Sequence, residues 1–260
     1  MVKAPIKFTI EHIKNLKTSK TPFATLTAYD CTSAQILDRA QIPLILVGDS
    51  ASMMIYGYNT TLPVTMAEML LIVKAVCRGA KNSLVVADMP FLSYQPSVEE
   101  TIKNAGLFLK EGGASAVKLE GGVHVQEHIK SLVACGIPVL GHVGLTPQSY
   151  HQFSGYSLQG KTSKDAQKIL ADALAVEEAG AFGVVLECIP AKLAKHITEK
   201  IQIPTIGIGA GKHCDGQIQV FHDILGYSAS RLPKHAMQYD TMYNNVLNII
   251  NKYKNDIEKQ

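Results

Sequence analysis

Short apolar runs rich in Val, Ile, Leu and Ala recur along this chain, and each is followed by a longer segment of helical periodicity. That alternation leaves few folds open. Runs at 23–28, 44–48, 84–87, 116–119, 139–141, 182–186 and 205–208 predict strands, with a shorter candidate at 217–220. Their apolar character on both faces is the mark of parallel strands covered by helices. Seven or eight such units in 260 residues predict an α/β fold, a (β/α)8 TIM barrel formed by residues 1–260 as a single domain. A doubly wound sheet is the alternative. However, Gly207-Ile-Gly-Ala-Gly211 lacks the spacing and the position of a dinucleotide fingerprint. Those glycines could cradle a phosphate or let a strand end bend.

The helices announce their ends. Thr65-Met-Ala-Glu68 and Ser97-Val-Glu-Glu100 read as capping boxes, in which a hydroxyl and a carboxylate each satisfy a backbone N–H of the first turn. Gly112-Gly113 and Gly180 act as stops, the latter closing a helix predicted from Asp165. An extra N-terminal helix is predicted at 9–16, placed to cover the barrel bottom. A last helix, at about 240–253, has Met242, Val246, Ile249, Ile250 and Tyr253 on one face.

Composition removes several classes of function. A formal net charge of +3, with scattered lysines, is too mild for a nucleic-acid surface. The five cysteines are widely spaced without a C-x-x-C pair, which argues against a disulfide framework or zinc site and for a reducing, cytoplasmic compartment. The N-terminus predicts no signal peptide, and no stretch has the roughly 20 apolar residues of a membrane span.

The predicted strands end on ionisable groups. Leu44-Ile-Leu-Val-Gly-Asp49, Leu84-Val-Val-Ala-Asp88, Val117-Lys-Leu-Glu120 and Val184-Val-Leu-Glu187 end in carboxylates, and Val139-Leu-Gly-His142 ends in an imidazole. In a barrel these ends form the active-site rim. Strand alternation puts Lys118 on the face of Glu120, where a lysine needs a carboxylate or an anionic ligand beside it. Any one acid could be a helix N-cap. Several acids at one rim repel each other, and a divalent cation resolves the repulsion. Oxygen ligands without cysteine favour Mg²⁺, or Mn²⁺ or Co²⁺, over structural zinc. Cys188 reads as a packed thiol, and His124, His128, His196, His222 and His235 as surface or packing residues. The polar, glycine-containing segment 150–161 is a candidate lid.

Several motifs together resemble one family. They are Val47-Gly-Asp-Ser50, Gly57-Tyr-Asn-Thr-Thr-Leu-Pro-Val-Thr65, Ala87-Asp-Met-Pro-Phe91, Ala116-Val-Lys-Leu-Glu-Gly-Gly122, Gly141-His-Val-Gly-Leu-Thr-Pro-Gln-Ser149, Gly155-Tyr-Ser-Leu-Gln-Gly-Lys161, Leu186-Glu-Cys-Ile-Pro190 and Ile206-Gly-Ile-Gly-Ala-Gly211. In this order they resemble the ketopantoate hydroxymethyltransferase, or 3-methyl-2-oxobutanoate hydroxymethyltransferase, family. The resemblance implies a barrel of the phosphoenolpyruvate/pyruvate type. It also implies one-carbon transfer from 5,10-methylenetetrahydrofolate to 3-methyl-2-oxobutanoate, the first step towards pantothenate and coenzyme A. By position, Asp49 and Asp88 match the family's Mg²⁺ ligands and Glu120 the third acid of the metal shell. Asp49, Ser50, Asp88 and Lys118 match contacts to the oxo acid, Glu187 the proton acceptor and His142 an active-site histidine. The family's assembly implies a homodecamer, a pentamer of dimers. One departure is Ala51-Ser52, where the family usually has a bulky apolar residue and then glycine, so a local backbone difference is expected.

Three rival readings follow from the same residues. Lys118 could form a Schiff base with a keto group, although the neighbouring acids suit a metal better. The chain could act like isocitrate lyase or phosphoenolpyruvate mutase, but the Lys-x-Cys-Gly-His type of loop is missing. It could also be a non-catalytic scaffold, which would have no use for a costly cluster of charges.

Overall fold

The computed structural model describes residues 6–229, 232–234 and 236–259. Its strands are β1 (Phe23–Thr27), β2 (Leu44–Val47), β3 (Leu84–Asp88), β4 (Ala116–Glu120), β5 (Val139–Gly144), β6 (Gly183–Glu187), β7 (Thr205–Ile208) and β8 (Gly216–Gln219), and they close into one barrel in chain order. The helices are α1 (Ile10–Thr18), α2 (Cys31–Arg39), α3 (Ala51–Met54), α4 (Met66–Gly79), α5 (Val98–Lys110), α6 (Gln126–Ala134), α7 (Ser163–Glu178), α8 (Ala191–Lys200), α9 (Phe221–Leu225) and α10 (Met242–Glu258). Where the sequence predicts one domain, backbone contacts divide the chain into a compact unit ending at Ile218 and a second beginning at Gln219.

The barrel interior follows from the period-2 alternation of each strand. Leu84 and Val86 on β3, Ala116 on β4, Leu140 on β5 and Val185 on β6 belong to one apolar cluster with Leu44, Leu46 and Ile206. Two residues further on from those positions stand Asp88, Lys118, His142 and Glu187, with Glu120 two beyond Lys118. The register carries this layering across the sheet, pairing Asp88 with Lys118 and Glu120 with His142. The strands thus fill their lower layers with hydrocarbon and end in charge. Both faces are not uniformly buried, however: β1 exposes Ala24, and β8 alternates buried and half-buried residues.

Helix α1 covers the bottom of the barrel, as predicted. Thr9 caps it by accepting from His12 N, and Ile13 joins the barrel cluster fully buried, with Phe8, Ile10 and Leu16 packed against it. Burying one such isoleucine contributes about 2–3 kcal/mol. The box at α4 is complete: Glu68 N donates to Thr65 Oγ1 at 3.2 Å and Thr65 N donates to Glu68 Oε2 at 2.8 Å. At α5 only the forward half forms, since Ser97 accepts from Glu100 N while the Glu100 carboxylate lies 3.8 Å from Lys103. Helix α7 starts two residues before the predicted Asp165 because Thr162 is the cap, accepting from Asp165 N. Among the described residues no helix is long and apolar enough to cross a membrane, and none of the five cysteines forms a disulfide.

In the second unit, α10 has the predicted amphipathic pattern but no buried residue; Ile249 and Tyr253 are 65% and 66% exposed. Within this unit Tyr239 N donates to Ile224 O, and Tyr243 N to Gly226 O. Of the predicted surface or packing histidines, His235 lies outside the described residues.

One polar clamp ties α2 to the start of β3. The Asp38 carboxylate accepts from Asn82 N and Ser83 N at 2.8 Å each and from Asn82 Nδ2 at 2.9 Å. Partial burial pushes its pKa up, but these hydrogen bonds outweigh burial and hold it below the ordinary value. A depressed folded pKa stabilises the fold above the unfolded carboxylate's pKa of about 4, and the contribution fades as pH falls through the folded value. Asp38→Ala should therefore cost about 2 kcal/mol at pH 7 and progressively less below about pH 4, measured by urea unfolding across pH.

Candidate active site

The strand ends bring the predicted ionisable residues together. Lys118 lies 3% exposed at the centre, and its Nζ donates to both oxygens of Asp88, at 2.7 and 2.8 Å. Its ammonium also lies 3.6 Å from Glu120 Oε1. Asp49, just beyond β2, donates its backbone N–H to Asp88 Oδ2 at 3.1 Å. His142 sits between two acids, Nδ1 3.5 Å from Glu120 Oε1 and Nε2 3.2 Å from Glu187 Oε2. Ser50, at the start of α3, is hydrogen-bonded to the Tyr29 hydroxyl at 2.8 Å. The Ala51-Ser52 departure is absorbed locally: Ser52, fully buried, donates its hydroxyl to Thr60 O at 2.7 Å.

Burial and mutual repulsion set the protonation of this cluster. Burial, reinforced by the charge of Asp88, holds the Asp49 carboxyl well above the usual carboxylate range. Burial likewise raises Asp88, with Lys118 opposing it. Glu120 is lowered, since Lys118 and His142 together outweigh its burial. Burial would lower Lys118, but Asp88, Glu120 and Asp49 overcome it and hold the ammonium more firmly protonated than an ordinary lysine. Such an amine is a poor nucleophile, which counts against the Schiff-base reading. Burial and Lys118 act to lower His142, yet Glu120 and Glu187 raise it to about 9.

Among the described residues no group of three or more His, Cys, Asp or Glu side chains is arranged to hold a metal ion. The expected trio of Asp49, Asp88 and Glu120 does not form one ligating set, because Glu120 turns to the cations. Its Oε1 faces Lys118 and His142, and its Oε2 accepts from Gln148 N at 2.9 Å. Asp49 and Asp88 remain as a neighbouring pair, and magnesium is commonly held by one or two carboxylates completed by water and substrate oxygens. Two observations fit an ion there. Four acids face one ammonium and one imidazole, so their full ionisation would leave negative charge in surplus, and the raised Asp49 carboxyl, pressed by burial and by Asp88, reflects that crowding. Glu120 Oε1 and both ring nitrogens of His142 are buried without a hydrogen bond of good geometry, so the polar cluster is incomplete on its own.

Glu187 is placed by its neighbours. It ends β6 beside Gly144, with which it pairs in register, and Leu145 N donates to its carbonyl. Gly144 has φ +97°, and a Cβ added there would run into the Glu187 carbonyl oxygen. Gly144→Ala should displace Glu187 and destabilise the fold by about 1–3 kcal/mol. Turnover should fall more steeply than melting temperature predicts, which paired kinetics and calorimetry would show. At the predicted glycine-rich segment after β7, Gly209 and Gly211 have φ +61° and +79°, and Gly211 packs against Ala191.

Residues that the sequence reading passed over complete the surroundings. Tyr94 and Gln148, 1% and 5% exposed, hydrogen-bond to each other and to Glu120. They line a cavity of about 110 Å³ with Phe91, Gln95, His124 and Thr146. Tyr156, in the candidate lid, packs its ring edge-on against Tyr150, and its phenol is raised to about 12, by partial burial first and then by the charge of Asp49. No hydrophobic periodicity marks these loop residues. The sequence signal for Tyr94 is its position after the strand that ends in Asp88, and for Gln148 its place in the motif Gly141–Ser149 after the strand that carries His142.

Known proteins align with this chain over nearly its full length. The model of the ketopantoate hydroxymethyltransferase family matches residues 7–260. A curated relative from Dehalococcoides mccartyi (strain CBDB1), named 3-methyl-2-oxobutanoate hydroxymethyltransferase, is 51% identical over 98% of this chain and 91% of its own length. One from Carboxydothermus hydrogenoformans with the same name is 52% identical over 98% of this chain and 92% of its own. Among solved structures, phosphoenolpyruvate phosphomutase from Streptomyces platensis superposes with a TM-score of 0.65 at 11% identity, covering 96% of this chain and 88% of that one. Phosphonopyruvate hydrolase in complex with oxalate and Mg²⁺ superposes with a TM-score of 0.61 at 14% identity, covering 83% and 81%. At such identities the structural likeness shows the barrel fold.

Proposed function

The chain belongs to the ketopantoate hydroxymethyltransferase family, and on that premise we propose that it transfers the one-carbon unit of 5,10-methylenetetrahydrofolate to 3-methyl-2-oxobutanoate, giving 2-dehydropantoate on the route to pantothenate and coenzyme A. The observation that carries this reading is the buried Asp49–Asp88–Lys118 group, to which Glu187 is joined through His142 and Glu120.

Asp49 and Asp88 would hold one Mg²⁺, with Glu120 supplying the third negative charge of the pocket. Bound there, the ion supplies Lewis-acid polarisation of the keto group, which acidifies the neighbouring C3–H. Lys118, fixed by Asp88, presents a compact positive charge to the substrate carboxylate. Ser50 and His142 complete the polar contacts to the oxo acid. Glu187, the half-buried carboxylate at the end of β6, takes the C3 proton. The His142 imidazole, 3.2 Å away, faces that carboxylate as its ionic partner. The electron pair released at C3 then forms the new bond to the folate's methylene carbon. Both N–CH2 bonds of that carbon break, and one water supplies the hydroxyl oxygen and the protons taken up by the two nitrogens. Tetrahydrofolate leaves, and the proton taken by Glu187 goes to the new hydroxyl. The resemblance supports a cytoplasmic homodecamer, and sedimentation should give a particle of ten chains.

The test is release of tetrahydrofolate from 5,10-methylenetetrahydrofolate, followed spectroscopically with and without 3-methyl-2-oxobutanoate. Release that requires both the oxo acid and Mg²⁺ is expected, and release indifferent to the oxo acid would overturn the assignment. Borohydride added during turnover should leave Lys118 unmodified by mass spectrometry, whereas a reduced adduct on it would restore the Schiff-base reading.

A further inference from the structure

Gln148, in the short 3-10 turn Pro147–Ser149 after β5, uses its whole hydrogen-bonding capacity on the rim. Its Nε2 donates to Asp49 Oδ2 at 3.0 Å and to the Met89 carbonyl at 2.9 Å. Its Oε1 accepts from the Tyr94 hydroxyl at 2.9 Å and from Gln95 Nε2 at 3.1 Å. Its backbone N–H donates to Glu120 Oε2 at 2.9 Å. A primary amide has two donor hydrogens and two acceptor lone pairs, and all four are engaged. The amide has only one workable orientation, because a flipped group would set its oxygen against a carboxylate and a carbonyl.

We propose that Gln148 is the positioning residue that fixes Asp49 for the metal ion, and that Tyr94 holds Gln148 in the pose that does so. With Oδ2 tied, rotation of the Asp49 carboxylate is restricted and the direction of its other oxygen is set. Through Met89, the residue after Asp88, and through Glu120, the same side chain and backbone join the ends of β2, β3 and β4. Tyr94 is braced in turn: its hydroxyl accepts from Glu120 N at 3.2 Å and lies 3.1 Å from the Glu120 carbonyl. A residue that holds a ligating carboxylate acts on ion affinity without touching the ion.

The inference rests on the reading of Asp49 and Asp88 as the ion-holding pair, and the experiment separates the two. Titration calorimetry would measure Mg²⁺ binding, with 3-methyl-2-oxobutanoate present, to the full-length wild type, Gln148→Met and Tyr94→Phe. Thermal unfolding without Mg²⁺ would be recorded alongside. Gln148→Met is expected to weaken Mg²⁺ binding by about 10- to 100-fold. Tyr94→Phe should act in the same direction by at least about threefold, the effect of one ordinary hydrogen bond. In steady state, both should raise the Mg²⁺ concentration needed for half-maximal rate more than they lower kcat at saturating Mg²⁺. If both variants melt earlier yet bind Mg²⁺ as the wild type does, the role is structural and the proposal is overturned. Should Gln148→Met not fold, Tyr94→Phe decides alone, and an unchanged Mg²⁺ affinity in it overturns the proposal. A wild type that binds no Mg²⁺ beside the oxo acid would remove the ion-holding reading itself, and this inference with it.

Discussion

Glu187→Gln should lower turnover by about 10²- to 10⁴-fold while leaving Mg²⁺ and the oxo acid bound almost as in the wild type. The amide keeps the shape of the carboxylate at the end of β6 but cannot accept a proton from C3. Glu187 takes no part in the Lys118–Asp88 ion pair, which lies on neighbouring strands. The substitution does remove one of the two acids that hold the His142 imidazole above its ordinary pKa. The imidazole should therefore titrate at lower pH in the variant, visible by NMR of its ring protons. Retained turnover would take the proton-accepting role away from Glu187. A loss of Mg²⁺ binding equal to the loss of rate would assign the residue to the ion instead.

Lys118→Met should be the most damaging single change to both fold and function. It removes the one ammonium among Asp49, Asp88 and Glu120, all of them buried. Breaking a buried pair by removing one partner costs about 3–5 kcal/mol, because the abandoned charge stays in low dielectric. The cost should shrink as pH falls. Burial already holds the Asp88 carboxyl above its ordinary value, and loss of the lysine raises it further. A group with a raised folded pKa takes up its proton early on acidification, which neutralises the abandoned charge. Urea unfolding at pH 8 and pH 5 would check the sign: the deficit relative to wild type should be larger at pH 8. The KM for 3-methyl-2-oxobutanoate should rise by at least about 30-fold, the effect of removing one partner of a buried charge pair. A variant as stable as the wild type at pH 8 would show that the carboxylates are already protonated without the lysine.

The barrel was legible because its signal is redundant. Each parallel strand buries hydrocarbon in its lower layers, so runs such as Leu84–Asp88 and Ala116–Glu120 declare themselves without knowledge of their partners. The acids at their ends were legible for the same reason: alternation along a strand carries Lys118 and Glu120, or Val86 and Asp88, to one side. The direction taken by Glu120 was not legible. Its turn towards Lys118 and His142, away from a ligating trio with the aspartates, depends on distances across strands that no local pattern encodes. Gln148 and Tyr94 escaped because an amide and a phenol in loops look like solvated residues until the fold buries them. Helix α10 shows the converse: its apolar stripe was read correctly as a stripe, but an amphipathic pattern does not state what covers it.

Exchange of the C3 proton of 3-methyl-2-oxobutanoate with D₂O, followed by proton NMR with the full-length protein and no folate present, isolates the step on which everything else depends. The site described here predicts enzyme-dependent loss of the C3–H signal that needs Mg²⁺, stops on addition of EDTA and is absent in Glu187→Gln. Exchange that proceeds unchanged in EDTA, or that survives in Glu187→Gln at the wild-type rate, would contradict it.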